Sequence, residues 1–264
     1  MLDNLRRLFR YRALIQSLVA RDLKARYRGS ALGFVWSFVN PLLLLLIYSF
    51  VFTVVIERPL GDTLRPFALF MFCGILPWTW FQSSLLESSN VLIAGGNLIR
   101  KVLFPAEVLP IVSVLAGMVH FFFGLPILAA FFLYYGRPVV PVDLLWLPVI
   151  VAVQLILTLG LALLVSALTV HFRDLRDLLA NLVTLWFFAT PIIYPLSDAP
   201  EVVRPYLALN PFTHLATAYQ EVLFLQGPFT QWPQLLALGA VSTVVLACGY
   251  FVFDRLRDTL AEGV

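Results

Sequence analysis

The chain has 264 residues, of which 61% are hydrophobic and 12% charged, with a formal net charge of +3 and a mean hydropathy of +0.90. Soluble globular domains carry about 45–50% apolar and about 25% charged residues, so this chain lacks the charge to cover a water-soluble surface. The same figures exclude disorder, which needs low hydrophobicity and high charge. Two cysteines, Cys73 and Cys248, both in apolar runs, exclude a disulfide scaffold. A polytopic membrane protein remains.

Residues 1–30 lack the apolar core of a signal peptide, so cleavage is not expected there. At 100° per residue, Leu2, Leu5, Leu8, Phe9, Ile15, Val19, Leu23 and Tyr27 fall on one face. Arg6, Arg7, Arg10, Arg21, Lys24 and Arg28 fall on the other, with Arg12 and Arg26 as exceptions. Such a basic amphipathic helix lies in the cytoplasmic interface, its apolar side in acyl chains and its cations near anionic head groups. Two readings stay open for it: a topology anchor, or a surface gripping an anionic lipid-linked substrate or a partner. Arg21, Lys24, Arg26 and Arg28 are the head-group candidates.

Uncharged stretches of 18 or more residues read as membrane-spanning helices. Six are predicted, over 31–56, 66–86, 108–136, 144–172, 178–197 and 232–253. The alternating ten-residue strands of a transmembrane barrel are absent. The expected fold is therefore all-α: one transmembrane domain of six helices. The stretch 205–220 is uncharged but short, and holds Asn210, Pro211, Thr213, His214, Thr217 and Gln220. It reads as re-entrant or interfacial. Fourteen of the 18 Lys and Arg residues lie before span one, between spans two and three, between four and five, or after span six. Both termini are thus expected in the cytoplasm.

The loop after span two reads Gly95-Gly96-Asn97-Leu98-Ile99-Arg100-Lys101-Val102-Leu103-Phe104-Pro105. Two glycines break the preceding helix, Asn97 can cap a new one, and Pro105 ends it. The expected product is a short cytoplasmic helix, lying on the membrane or serving as a knob for a partner. The segment His171-Phe172-Arg173-Asp174-Leu175-Arg176-Asp177 reads first as a polar turn between hairpin helices, with docking as the alternative.

Catalytic chemistry is poorly supplied. His120 is the only titratable group near the middle of a span, and Glu87 and Glu107 sit at span ends. That scarcity disfavours an ion-coupled carrier. Three histidines and two cysteines stand at no metal-ligand spacing, so no metal site is expected. Neither lysine, Lys24 or Lys101, belongs to a GxxxxGK[ST] phosphate loop, so nucleotide energy would have to come from another chain. The aromatic run Trp186-Phe187-Phe188 with Tyr194, and Trp36 and Phe38 in the first span, are candidates to line a glycan path by stacking on sugar rings. Core packing or lipid contact is the competing role for each.

Arg21-Asp22-Leu23-Lys24-Ala25-Arg26-Tyr27-Arg28-Gly29-Ser30, followed by Leu32-Gly33 and Trp36 through Asn40-Pro41, resembles the approach to the first span in ABC-type polysaccharide exporter permeases. That group includes the O-antigen, capsule and teichoic acid exporters. Asn97 through Pro105 resembles their coupling region, and Phe172 through Asp177 their second cytoplasmic loop. Pro191-Ile192-Ile193-Tyr194-Pro195 and Asn210-Pro211-Phe212 resemble the end of span five and the external re-entrant region.

The resemblance implies a homodimer in the bacterial inner membrane, bound to two copies of a separate ATP-binding subunit that holds ATP and Mg. It implies no cofactor in this chain, and no nucleic-acid partner is expected. Residues 97–104 would be the coupling helix, with Asn97, Leu98, Ile99, Arg100, Lys101, Val102, Leu103 and Phe104 meeting the ATPase. Residues 198–230 would form external gate helices, with Asn210, Pro211 and Phe212 among them. The cargo would be a lipid-pyrophosphate-linked glycan. A permease for a drug or another lipid is the nearest alternative, and an autonomous ion-coupled carrier the next.

Overall fold

The computed structural model describes residues 11–26, 29, 33–51, 55, 66–96, 105–136, 143–172, 174–225 and 227–263. These residues form α-helices α1 (Arg12–Arg26), α2 (Trp36–Phe50), α3 (Phe67–Ala94), α4 (Val108–Tyr134), α5 (Leu147–His171), α6 (Leu175–Phe188), α7 (Arg204–Leu209), α8 (Pro211–Leu223) and α9 (Trp232–Gly263). Short 3-10 turns precede α2 and α5 and lie at Leu196–Asp198. No strand occurs among the described residues.

Four helical stretches are long and apolar enough to cross a membrane: Phe67–Ala94, Val108–Tyr134, Asp143–His171 and Trp232–Arg257. They correspond to predicted spans two, three, four and six. The other two predicted spans occur as shorter helices. Span 31–56 is represented by the 15 residues of α2, and span 178–197 by the 14 residues of α6. Helix α6 stops at Phe188 because Pro191 offers no N–H and its ring disfavours α geometry in the residue before it. The chain then turns, with Thr190 N–H donating to Phe187 O at 3.1 Å and Ile192 N–H to Thr190 O at 2.7 Å. Helix α3 runs eight residues past the predicted span 66–86, and Glu87 in that extension pairs with a cation on α1.

Helix α3 is the centre of the bundle. Phe67 through Trp78 are all buried, as a helix apolar on every face requires. Helices α4 and α5 flank it, and α9 lies along α5 in the most extensive helix pairing of the molecule. In lipid the hydrophobic effect does not drive helices together, so close packing and interhelical hydrogen bonds hold such a bundle. Among the bonds that cross from α3, Trp80 Nε1 donates to Val114 O at 3.0 Å, and Gln154 Nε2 donates to Pro77 O at 2.8 Å.

The α5–α9 seam depends on two glycines. A Cβ on Gly160 would stand 2.6 Å from the Leu246 backbone nitrogen, and one on Gly249 only 2.1 Å from Gly160 O. The obstructing atoms are backbone, so nothing can swing aside.

The stretch 205–220 is divided between α7 and α8. Phe212, Leu215, Ala216, Ala218 and Tyr219 of α8 are fully enclosed, and α8 packs on α3, α9 and α5. Helix α8 is thus enclosed by neighbouring helices on the side that carries these residues. Its moderate amphipathicity, with Thr213, Thr217 and Gln220 among apolar residues, reflects neighbours rather than lipid. Gln220 Nε2 donates to Pro191 O at 3.1 Å, tying α8 to the turn after α6.

Candidate functional site

Asn97–Phe104, the expected coupling segment, lies outside the described residues, as do Arg28 and Arg173. Its two anchors are well defined. Helix α3 closes with Gly95 N–H donating to Val91 O at 2.9 Å, and α4 opens with Val108 N–H donating to Pro105 O at 3.0 Å.

Helix α1 rests on protein where acyl chains were expected. Leu18 is buried against Val108 and Val112 at the start of α4, with Leu14, Ile15 and Val19 packed around it. The apolar face thus meets the helix that follows the coupling segment. Arg21 and Lys24 are exposed. Arg26 is not a free cation: its Nε donates to Asp22 Oδ2 at 3.0 Å, and its Nη2 to the Glu87 carboxylate on α3. Sequence reasoning left Glu87 as a residue at a span end. Its partner lies 61 residues away, and no local pattern connects the two.

Loss of the Arg26–Glu87 pair is expected to loosen α1 without unfolding the bundle. The two side chains retain 25% and 36% of their surface, so solvent screens the attraction and about 0.5–1 kcal/mol is at stake. Limited proteolysis should cut near α1 faster in Glu87→Gln, and the double exchange Arg26→Glu with Glu87→Arg should restore protection. Equal cleavage in all three proteins would refute the tether.

The candidate glycan-path aromatics divide into two groups. Trp186 and Phe187 pack into a cluster around Trp78, at centroid distances of 6.3 and 5.7 Å. Phe81 stacks edge-on with Trp186 at 5.2 Å, and Phe212 lies 4.8 Å from both Trp78 and Phe81. Trp78, Phe81 and Phe212 are fully buried, so within this chain they form core. Phe188 faces outward, while Tyr194 reaches back to donate to Phe188 O at 3.3 Å. Phe38 pairs with Phe123 on α4 at 5.1 Å. Trp36 lines a recess between α2, α3 and α4 that also receives Arg26.

Asn210, Pro211 and Phe212 meet the end of α6 through one side chain. Asn210 Oδ1 accepts from Trp186 Nε1 at 2.7 Å and from Phe212 N–H at 2.9 Å. Its Nδ2 donates to Ala189 O at 3.0 Å and to Thr190 Oγ1 at 2.9 Å. Asn210 is thus both the N-cap of α8 and the junction of α6 to α8, while Pro211 takes the first helical position, where its missing N–H costs nothing. On the far side of α8 the Glu221 carboxylate accepts from Thr230 N–H at 3.1 Å and Gln231 N–H at 3.2 Å, holding the approach to α9.

A bundle of long apolar helices around a buried central helix defines a multi-pass membrane protein. A family profile described as "ABC-2 type transporter" matches residues 13–224, most of the chain. The chain belongs to the ABC-2 type transporter family. It is 42% identical over 267 residues to the O-antigen export system permease protein RfbA of Myxococcus xanthus, covering 100% of both chains. It is 34% identical over 253 residues to a protein of the same name from Klebsiella pneumoniae, covering 94% of each. The polysialic acid transport protein KpsM of Escherichia coli is 21% identical over 247 residues, covering 93% of this chain and 94% of its own.

Proposed function

We propose that this chain is the membrane permease subunit of an ATP-driven exporter that moves a lipid-linked polysaccharide, an O-antigen-like glycan, across the bacterial cytoplasmic membrane. The single observation that carries the reading is similarity along the whole chain to a protein named for O-antigen export. The chain offers no phosphate-binding loop, so ATP and Mg belong to a separate cytoplasmic subunit. Two permease copies with two ATP-binding subunits would form the working unit. In this reading six helices span the bilayer, α2 and α6 among them, and both termini are cytoplasmic by the distribution of Lys and Arg.

Residues 97–104 would take the force of the ATPase and pass it to α3 and α4. A switch of this kind needs the partner to bind two states of the permease with different affinity, and the difference sets how far the equilibrium moves. A candidate element for it is α1, which packs on the start of α4 and pairs with Glu87 near the end of α3, the two helices on either side of residues 97–104 in the chain. Residues 198–230 would gate the outer side, held to α6 through Asn210.

The test is a pull-down of the tagged chain from mild detergent, with an ATPase assay on what accompanies it. A stoichiometric ATPase is expected, and the double variant Arg100→Glu, Lys101→Glu should reduce its co-purification and glycan export at least about tenfold, since two charges that this reading assigns to the partner contact are reversed. The variant should still insert in the membrane. Unaltered partner binding and export would remove residues 97–104 from the coupling role. ATPase stimulation by a hydrophobic drug with no change in surface glycan would replace the cargo.

A further inference from the structure

The recess between α2, α3 and α4 has a volume of about 520 Å³, within the range of about 300–1,000 Å³ that small-molecule sites occupy. Its wall includes Trp36 and Asn40 from α2, Thr79 and Ser83 from α3, His120 from α4, and Arg26 of α1. A cation beside such a wall suggests a seat for the diphosphate of a lipid carrier. The local chemistry argues otherwise.

Arg26 is matched by two carboxylates, Asp22 and Glu87, which offset its attraction for an anion. The hydroxyls on α3 also have the wrong polarity for phosphate. Thr79 Oγ1 donates its one proton to Leu76 O at 2.8 Å, and Ser83 Oγ donates its own to Trp80 O at 3.1 Å. What each hydroxyl has left is lone pairs, which accept. Phosphate oxygens are acceptors too, and acceptor against acceptor makes no bond. A ligand that brings donors can bond to these two hydroxyls, and a flat apolar face suits Trp36.

We infer that this recess is a binding site for an uncharged sugar ring on a lipid, which supplies hydroxyl donors to Thr79 and Ser83 and a C–H face to Trp36. The inference rests on the export reading for its biological meaning: the ring would be the lipid-proximal sugar of the cargo, with the diphosphate lying outside the recess. The same chemistry would accept the head group of a neutral glycolipid resident in the membrane. Asn40, which can both donate and accept, reads the ring's remaining hydroxyls.

Three lipids test it by native mass spectrometry on the tagged chain purified with whatever subunit accompanies it. They are a polyprenyl diphosphate bearing one N-acetylhexosamine, the same polyprenyl diphosphate without sugar, and monoglucosyl diacylglycerol. Both sugar-bearing lipids should bind on the order of tenfold more tightly than the bare diphosphate, the effect of one or two hydrogen bonds. Thr79→Val, nearly the same shape, and Asn40→Ala should each erase most of that preference while leaving the bare diphosphate unchanged.

Equal binding of the bare diphosphate, or a sugar preference that survives both substitutions, overturns the site. Preference for the diphosphate sugar alone identifies the cargo as the occupant, and equal preference for both identifies a general sugar-head site. Glucosyl lipid binding that depends on Thr79, in cells whose surface glycan is indifferent to this chain, would sink the export reading and keep the recess. Normal glycan export with no sugar preference in the purified protein would do the reverse.

Discussion

Gly249→Val is expected to abolish most of the correctly folded protein, with a destabilisation of about 3 kcal/mol or more. A Cβ at this position would lie 2.1 Å from Gly160 O, and its surroundings on α5 are Gly160 backbone atoms. Side-chain overpacking usually costs about 1–3 kcal/mol because a neighbour can rotate away, but backbone cannot. Helices α5 and α9 must therefore separate along their length, and within lipid no hydrophobic drive offsets the lost contacts. Gly249→Ala should also destabilise, although alanine is the better helix former by about 1 kcal/mol in water. Gly239→Ala is the control on the same helix: its Cβ would meet only Val153 Cγ2, at 3.4 Å, an ordinary contact. The unfolding midpoint in mild detergent and the monodisperse yield report the outcome. An unchanged midpoint for Gly249→Val would show that the two backbones do not approach as described.

Asn210→Ala should lower stability by about 2–4 kcal/mol and abolish export. Four hydrogen bonds vanish together, and the Trp186 indole N–H and the Phe212 N–H are left without acceptors near a fully buried ring. Asn210→Ser separates the two roles. Serine is a good N-cap and should keep the bond to the start of α8, about 1 kcal/mol. It is too short to bridge to Ala189 and Thr190. The serine variant should therefore unfold between the wild type and the alanine variant, with export still impaired, because the end of α6 is no longer held to α8. Wild-type melting and export in Asn210→Ser would mean that the cap alone matters and the bridge to α6 does not.

Much of the architecture is legible in residue order, for simple reasons. Long uncharged runs must be helices in lipid, since each backbone N–H and C=O then finds its partner within the same segment. Four of the runs became helices long enough to cross, at 67–94, 108–134, 143–171 and 232–257. Where the helix ended elsewhere than expected, a local cause is visible afterwards: Pro191 cuts the run 178–197 at Phe188, and α3 continues past Glu87 because a glutamate ends an apolar run without ending a helix. The run 205–220 was legible as too short and too polar to cross, but not as core. Its burial depends on Trp78 and Phe81, more than 120 residues earlier in the chain.

Of the candidate site residues, Asn210-Pro211-Phe212 was legible as a unit because cap and Pro positions are local features. Of the basic residues read from periodicity in 1–30, Arg21 and Lys24 lie exposed on α1. That Arg26 is neutralised, and that Trp186 is packed against Trp78 and Phe81, were not, since these are facts about which helices become neighbours. The same holds for Gly160 and Gly249. In sequence they are two of 14 glycines, and only the crossing of α5 over α9 makes them indispensable. Composition and residue order alone made this a helical membrane protein, because lipid solvation acts on each segment separately. The recess, the neutralised arginine and the Asn210 junction belong to tertiary structure alone, because each is made by side chains from different helices that meet only once the bundle has packed.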